Sequence, residues 1–574
     1  MIHSVDPRQN RLFDPFDGVI PPAGRKIIGN GWQGVFRHVL LAVMPVGELG
    51  QHFSDSLGAP TKELDSLAGL VFLTDFLGST AQEAAEASIF RTDIQYALNL
   101  EPGAAVSPRT VERYQKLFRD NDLAARIFED VTDRRVRALD LDVSRQRLDS
   151  THVFSHLASF GRTQLLAVAI KRFLTQLQRH DPDAYTALPE DLRLRYAPAQ
   201  ARLCAEAKDA EARARCRQQA AEDLHFVITR FAHRADLTNR STSQALVTIL
   251  GQQCEWSGEK VVVKTKTGGD CVQNPSDPDA TYDGPKGSGS QVPIAETCVP
   301  GNEVHLITAA LPQTACESDA AAVVPMLDQL EQGARLPEDL LGDTLSTGDE
   351  NVQAAAARGV DLVGPIPGRA PEADPEALTV ADFAWDERTG TIDACPAGHR
   401  PTSCSHDAAT ARTRVEMPAS ACAECPFRQR CPIEQANDGK FTLEFTDKER
   451  RLAARRVEEE TEVFQERSAP RSGIESTNSG VKNRLGLDRL RVRGRGSGFR
   501  VILHPVAGWN VLRAAAAQTL RAGVRTPVAQ TLQGSESGPT ERLCALIFRP
   551  WAGFPMVSWG SHGGSHNLAA WRAA

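Results

Sequence analysis

The stretch DLLGDTLSTGDENVQAAAARGVDLVGPIPGR, Asp339 to Arg369, limits the fold more than any other. It reads as a short apolar strand ending in an acid (Leu340 to Asp343), a loop, a helix (Asn351 to Arg358) and a second apolar strand (Val360 to Gly364). Two strands joined through a helix pair in parallel, because the crossover must carry the chain back along the strand's length. Upstream, VPIAETCV and NEVHLITAALP read as two strands joined by a turn around Pro300 to Asn302, and SDAAAVVPMLDQLEQ reads as a helix capped by Ser318. Earlier still, RALDLDVSRQRLDSTHV alternates Leu139, Leu141 and Val143 before reaching Leu148 and Asp149, which suits a strand delivering an acid at its end. Asp140, Asp142 and Asp149 compete for that role. The expected class is α/β, a mixed sheet with helices, its first part spanning residues 136–364.

The remaining segments group around this core. Residues 1–135 are expected to be an all-helical domain, since GVFRHVLLAV, KELDSLAGLVFLTDFL, TAQEAAEASIFR, SPRTVERYQKLF and NDLAARIFEDVTDR repeat apolar residues three to four apart. Residues from about 155 to 250 read as a helical insertion behind the first strand, and QNPSDPDATYDGPKGSGSQ as a turn-rich tract. Residues 365–446 are rich in Pro, Cys and Asp and read as a small inserted module with too few apolar residues for a core of its own. Residues 447–524 return to the core through a charged helix, Asp447 to Glu466, and an amphipathic helix beyond Phe499; residues 525–574 form a Gly/Ser-rich tail.

Charge and hydropathy exclude several classes. No apolar run approaches the roughly 20 residues of a membrane span, and Asp6, Asp14 and Asp17 break up the N-terminus, so a cytoplasmic protein is expected. In that compartment the 12 cysteines read as free thiols or metal ligands. The net charge of -8 hides one strongly basic run, Lys482, Arg484, Arg489, Arg491, Arg493, Arg495 and Arg500 against Asp488 alone. Arginines at every second position line one side of an extended segment, an arrangement suited to phosphates rather than to reading bases.

Beside that run, Glu475 stands at a helix start, and Lys482 follows two helical turns later on nearly the same face. With Asp149 and Asp343 at strand ends, three carboxylates can converge across a sheet. Hard divalent cations take such oxygen ligands, and a pair of Mg2+ about 3.5 to 4 Å apart activates water and stabilises the leaving oxygen of a phosphodiester. A second cluster, Cys395 in CPAGH, Cys422 and Cys425 as C-x2-C, then Cys431, has spacing suited to a tetrahedral structural Zn2+, with Cys404, His399 and His406 as spare candidates.

RLDSTHV around Asp149, NPSDPDATYDGPKG, DTLSTGDENVQAAAARGVDLVGPIPGR around Asp343 and RSGIESTNSGVKNRLGLDRLRVRG around Glu475 resemble, in order and spacing, the DDE-type transposases of bacterial insertion sequences. Arg471, Glu475 and Lys482 match that family's late signature, and FDPFDGVIPP, GWQGVFRHVL and TAQEAAEASIFRTDIQYALNL look like its N-terminal domain. The resemblance implies a ribonuclease H-like catalytic domain in which Asp149, Asp343 and Glu475 bind two Mg2+ (Mn2+ substituting). It implies DNA contacts by Arg471, Lys482, Arg484, Arg489, Arg491 and Arg493, and a cysteine-containing insertion before the catalytic Glu. The implied partners are terminal inverted repeats and target DNA, held by a homodimer. Two positions depart from the family: its tyrosines are replaced by Ser346 and Ser468. A decayed or repurposed transposase acting only as a DNA-binding protein is the alternative these two positions motivate.

Overall fold

The computed structural model describes residues 14–54, 61–101, 104–157, 159–197, 209–368, 377–386 and 388–525; the expected tail lies outside them. The chain begins with short helical segments and continues through α1 (Leu64–Phe76), α2 (Ala81–Phe90), α3 (Pro108–Asp120) and α4 (Leu123–Leu139). Ser107 caps α3 by accepting from the Thr110 N–H, with Pro108 at the first helical position where its missing N–H costs nothing.

The expected strand over Leu139 to Val143 is not formed. Helix α4 runs on to Leu139 and stops where Asp140 turns left-handed (φ 51°), so the apparent alternation straddles a helix end. Strand β1 starts later, at Arg145, and extends to Phe154. Asp149 therefore sits mid-strand rather than at its end. The helical insertion follows as α5 (Arg162–His180), α6 (Ala210–Phe231) and α7 (Ser241–Gln253); it packs a cluster of its own, Leu166, Ile170, Leu224, Val227 and Ile249 among its members, that reaches as far as Val272.

The turn-rich tract holds a tight hairpin, β2 (Thr281–Asp283) against the start of β3 (Gly287–Thr297), then β4 (Ile307–Ala310). Helix α8 (Val323–Gln332), β5 (Asp339–Leu341), α9 (Asp349–Ala356) and β6 (Asp361–Val363) complete the crossover read from the sequence. The main sheet has β3 antiparallel to β1 and to β4, and β5 and β6 parallel to β1 and to each other. Leu148, Ala295, Leu340 and Leu362 of this sheet pack against Val323, Met326, Leu327 and Leu330 of α8.

The cysteine-bearing module has more of a core than its composition promised. Strands β7 (Ser403–Asp407), β8 (Arg412–Met417), β9 (Glu434–Gln435) and β10 (Phe441–Thr446) form one sheet, and Phe383, Ile392, Val415, Phe441, Leu443 and Phe445 are buried together. Phe441, Leu443 and Phe445 alternate along β10, so a few well-spaced residues suffice. The charged helix divides at Thr461, which caps a new one, into α10 (Asp447–Glu459) and α11 (Glu462–Ser468).

Helices α12 (Ile474–Leu485) and α13 (Arg495–Arg525) close the fold. Val481, Leu485, Ile502, Val506 and Trp509 share one apolar cluster with α1, α3 and α4 and with Val153, Val292 and Ile294 of the sheet. A Cβ at Gly480 would come within 2.3 Å of the Trp509 ring, so this glycine permits the close crossing of α12 and α13. Asn510 pairs the edge strand β4 as a neighbouring strand would: its Oδ1 accepts from the Ile307 N–H (2.9 Å) and its Nδ2 donates to the Ile307 carbonyl (2.7 Å). Among the described residues no helix is long and apolar enough to cross a membrane.

Candidate active site

Side chains alternate across a strand, so Arg147, Asp149 and Val153 of β1 share the face covered by α12. The anchor of that contact is a buried ion pair that sequence reading missed. Arg147 donates to Glu296 Oε2 of β3 through Nε (2.9 Å) and Nη2 (2.6 Å), and through Nη1 to the Pro470 carbonyl (2.9 Å). Thr477 of α12 donates to the other Glu296 oxygen at 2.6 Å. Glu296 is 0% exposed, so its charge is tolerated only because all three donors converge on it. Gly473 is required here, since a Cβ would lie 2.0 Å from Arg147 Nη1.

This clamp sets the face of α12 that meets Asp149. Arg471 Nη2 lies 3.0 Å from Asp149 Oδ1, and Asn478 Nδ2 donates to Oδ2 at 3.0 Å. Burial pushes the Asp149 carboxyl above its ordinary value, with the charges of Asp343 and Asp319 adding to the rise and Arg471 opposing it. Asp343 follows β5. The last paired residues are Arg147 and Leu341, so Asp149 and Asp343 each lie two residues further along neighbouring parallel strands. Ser346, one of the two departures from the family pattern, takes a definite part: its N–H (2.9 Å) and hydroxyl (2.6 Å) both donate to Asp343 Oδ1. Ser468 instead donates to the Gln465 carbonyl.

Glu475 opens α12 three residues before Asn478 and four after Arg471, which lies in the 3-10 turn leading into the helix. The Glu475 side chain is exposed. Lys482 lies further along α12; burial pushes its ammonium pKa down, while Asp488 and Asp149 raise it. Among the described residues no three His, Cys, Asp or Glu side chains form a group that could hold a metal ion. Asp343 thus lies near enough to Asp149 for its charge to act there, whereas among the described residues Glu475 does not complete a three-carboxylate group with them.

The arginine run is non-helical over Arg489, Arg491 and Arg493, but it is bridged to β1 at Arg489 alone and bends at Arg491 and Val492, so the expected extended row is not formed throughout. Phe154 donates to the Asp488 carbonyl (2.8 Å) and Leu490 to the Phe154 carbonyl (2.9 Å), so the segment continues from the end of β1. Arg489, Arg491 and Arg493 are exposed while Leu490 is buried; Arg484 is exposed near the end of α12. Arg495 departs from the expectation, since it opens α13. Two acids of the turn-rich tract pin the run: Asp277 accepts from the Gly494 N–H and the Ser155 hydroxyl (both 3.0 Å), and Asp279 accepts from the Arg495 N–H (2.7 Å). Their place in NPSDPDATYDG was visible in the sequence; their long-range partners were not.

Cys395, Cys422, Cys425 and Cys431 border one small cavity, together with His399. Burial raises the Cys422 and Cys431 thiol pKa values, and the neighbouring thiols add to the rise. Cys404 lies on β7, and His406 faces Asp447 at 3.3 Å. Among the described residues nine cysteines are free, and Cys216 departs from the expected free thiols in being disulfide-bonded.

Against this geometry, a family model described as a transposase DDE domain matches residues 394–515. The matched segment runs from the cysteine module through α13 and contains Arg471, Glu475, Lys482 and the arginine run; Asp149 and Asp343 lie outside it. It bears out, over this C-terminal stretch, the resemblance to DDE-type transposases. No curated protein and no solved structure matches.

Proposed function

We propose that the chain is the DNA transposase of an insertion sequence, binding element ends and carrying out metal-dependent phosphodiester hydrolysis followed by strand transfer. The observation that carries this reading is Asp149 on β1 and Asp343 just past the end of the parallel neighbour β5, faced by Arg471 in the turn before α12 and by Glu475, Asn478 and Lys482 on α12. A seven-stranded mixed sheet with one acid on a central strand and another just past the end of its parallel neighbour supports a ribonuclease H-like core.

The donors suit a hard cation. The charge of Asp343 adds to the cost of ionising Asp149, a cost that a cation beside them would remove. Asn478 Oδ1, beside Asp149, is buried without a hydrogen-bond partner, an oxygen of the kind Mg2+ takes. Asp149 and Asp343, with Glu475 from the facing helix, would hold Mg2+ or Mn2+; the bound metal supplies an activated water and neutralises charge on the phosphoryl oxygens. With the carboxylate engaged by a cation, Arg471 would be free to contact DNA phosphate, and Lys482 would contact the next phosphate. Arg484, Arg489, Arg491 and Arg493 hold the strand by its backbone. The four thiols that border one cavity would, if drawn together, supply the donors of a structural Zn2+ tying Cys395 to the Cys422–Cys431 turn. The substrate is double-stranded DNA, terminal repeats and target, and the working form is a cytoplasmic homodimer on DNA.

The test is incubation of the purified protein with DNA carrying the element's inverted repeats, with and without Mg2+. Strand cleavage that needs the cation and is abolished in Asp149→Asn and Asp343→Asn is expected. Sequence-specific DNA binding without cleavage would favour a decayed, DNA-binding protein, a reading to which the Arg471–Asp149 ion pair also lends itself.

A further inference from the structure

The basic run has a second feature that its exposed arginines do not account for. Behind it lies a cavity of about 230 Å3, walled by Asp75, Gly78, Ser79 and Thr80 of the α1–α2 turn and by Arg489, Arg491 and Arg500. A single water occupies about 30 Å3 of liquid, so the space admits a larger polar group. Arg500 is 4% exposed, and although its Nη2 reaches Asp75 Oδ1 at 3.1 Å, its Nε and Nη1 are buried with no hydrogen-bond partner. Leaving two charged donors of a buried guanidinium unmade is expensive, and an anion is the group that would satisfy them.

The surrounding charges favour the same class. Asp75 is already committed, one oxygen to Arg500 and the other to His504 Nδ1 (2.8 Å). Glu83, the nearest other acid on α2, is folded back onto the Thr80 N–H at 2.7 Å as the second half of a capping box, and Arg491 lies close enough to hold its pKa down after that hydrogen bond. Arg119 adds positive charge behind Arg500. Arg491 is steered over the opening by donating to the Gly78 carbonyl at 2.7 Å. The 10-residue helix α2 begins at this wall, and its first-turn N–H groups add a partial positive charge.

We propose that this cavity is a phosphate-binding pocket, in which Arg500 from α13 and Arg491 from the basic run grip one phosphate group against the start of α2. The ligand class is a phosphate ester: a backbone phosphodiester of a bound strand, which follows if the chain is a transposase, or the phosphate of a free small molecule. The pocket joins α1–α2 to α13 and to Leu485 at the end of α12, so its occupant would lock the N-terminal helices to the helix that bears Glu475.

The experiment titrates the full chain with inorganic phosphate by calorimetry at constant ionic strength, for wild type, Arg500→Gln and Ser79→Asp. The second variant leaves the Asp75–Arg500–His504 cluster intact and puts a carboxylate at the cavity wall, so it remains informative should the first fail to fold. Phosphate binding to wild type that weakens at least about tenfold in Ser79→Asp, and in Arg500→Gln if it folds, is expected, as loss of one charge-assisted contact implies. A parallel titration with a short duplex identifies the source: a matching loss of DNA affinity assigns the phosphate to a strand, and unchanged DNA affinity assigns it to a free ester. Failure of wild type to bind phosphate, or equal binding by Ser79→Asp, overturns the pocket. Neither result depends on strand cleavage, so the pocket and the catalytic reading fail separately.

Discussion

Replacing Arg147 by Met tests the clamp that holds α12 over the sheet. The substitution removes both hydrogen bonds to Glu296 and the one to the Pro470 carbonyl, leaving a fully buried carboxylate with Thr477 as its remaining donor. Breaking a buried ion pair from one side costs about 3–5 kcal/mol. Because the chain packs several separate apolar clusters, a global melting curve would blur this; the informative readout is local opening. Amides of residues 474–485 should exchange with deuterium at least about a hundredfold faster in Arg147→Met, the factor that about 3 kcal/mol implies. Amides of β8 and β10, which pack in a separate cluster, should be unchanged. Adding Glu296→Leu removes the stranded charge and should restore most of the protection, short of about 1 kcal/mol for the Thr477 hydroxyl left unpaired. Unchanged exchange in α12 of Arg147→Met, or no recovery in the double variant, would refute the reasoning.

Other consequences follow from single contacts. Ser346→Ala removes the hydroxyl hydrogen bond to Asp343 and should weaken Mn2+ binding by about 10- to 100-fold with little loss of stability, measured by calorimetry. Burial and the charges of Arg147 and Arg513 push the His305 pKa down to about 4, so this group is neutral in the fold and protonates more readily when unfolded. Its contribution is therefore complete above pH 6.5 and is lost as pH falls from there toward 4; His305→Gln should flatten the urea midpoint across that window. Arg493→Ala should weaken DNA binding equally for all sequences and reduce the slope of log K against log salt by about 0.9, and a loss confined to one sequence would contradict a phosphate contact. Strong chelators should strip one equivalent of zinc and loosen Cys422–Cys431 while β8 and β10, with their own apolar core, keep their exchange protection.

What could be read from the sequence was what local pattern determines. The strand–acid–helix–strand unit around Asp343 forms as read, because short apolar runs and a single helix leave one parallel solution. The Asp149 strand was misplaced because Leu139, Leu141 and Val143 mimic a period of two across a helix end, and only the left-handed turn at Asp140 separates the two. Glu475 was recognised on its helix, yet what orients that helix is Arg147, Glu296 and Thr477, three polar residues that lie far apart in the chain and carry no periodic signal. The arginines were conspicuous; the acids that pin them, Asp277 and Asp279, act through main-chain N–H groups more than 200 residues away and looked like ordinary turn residues. Ser346 looked like a loss when set against a tyrosine, whereas in the structure it holds the Asp343 carboxylate through two hydrogen bonds.

The central claim is that Asp149, Asp343 and Glu475 share a divalent cation. Crystals of the protein bound to DNA and soaked in Mn2+ would reveal the cation by its anomalous scattering. The account predicts a peak within about 2.3 Å of carboxylate oxygens of both Asp149 and Asp343, with Glu475 or Asn478 turned toward it. It also predicts that Arg471 is released from Asp149. A saturating soak that leaves the Arg471–Asp149 ion pair closed and puts Mn2+ elsewhere would contradict it.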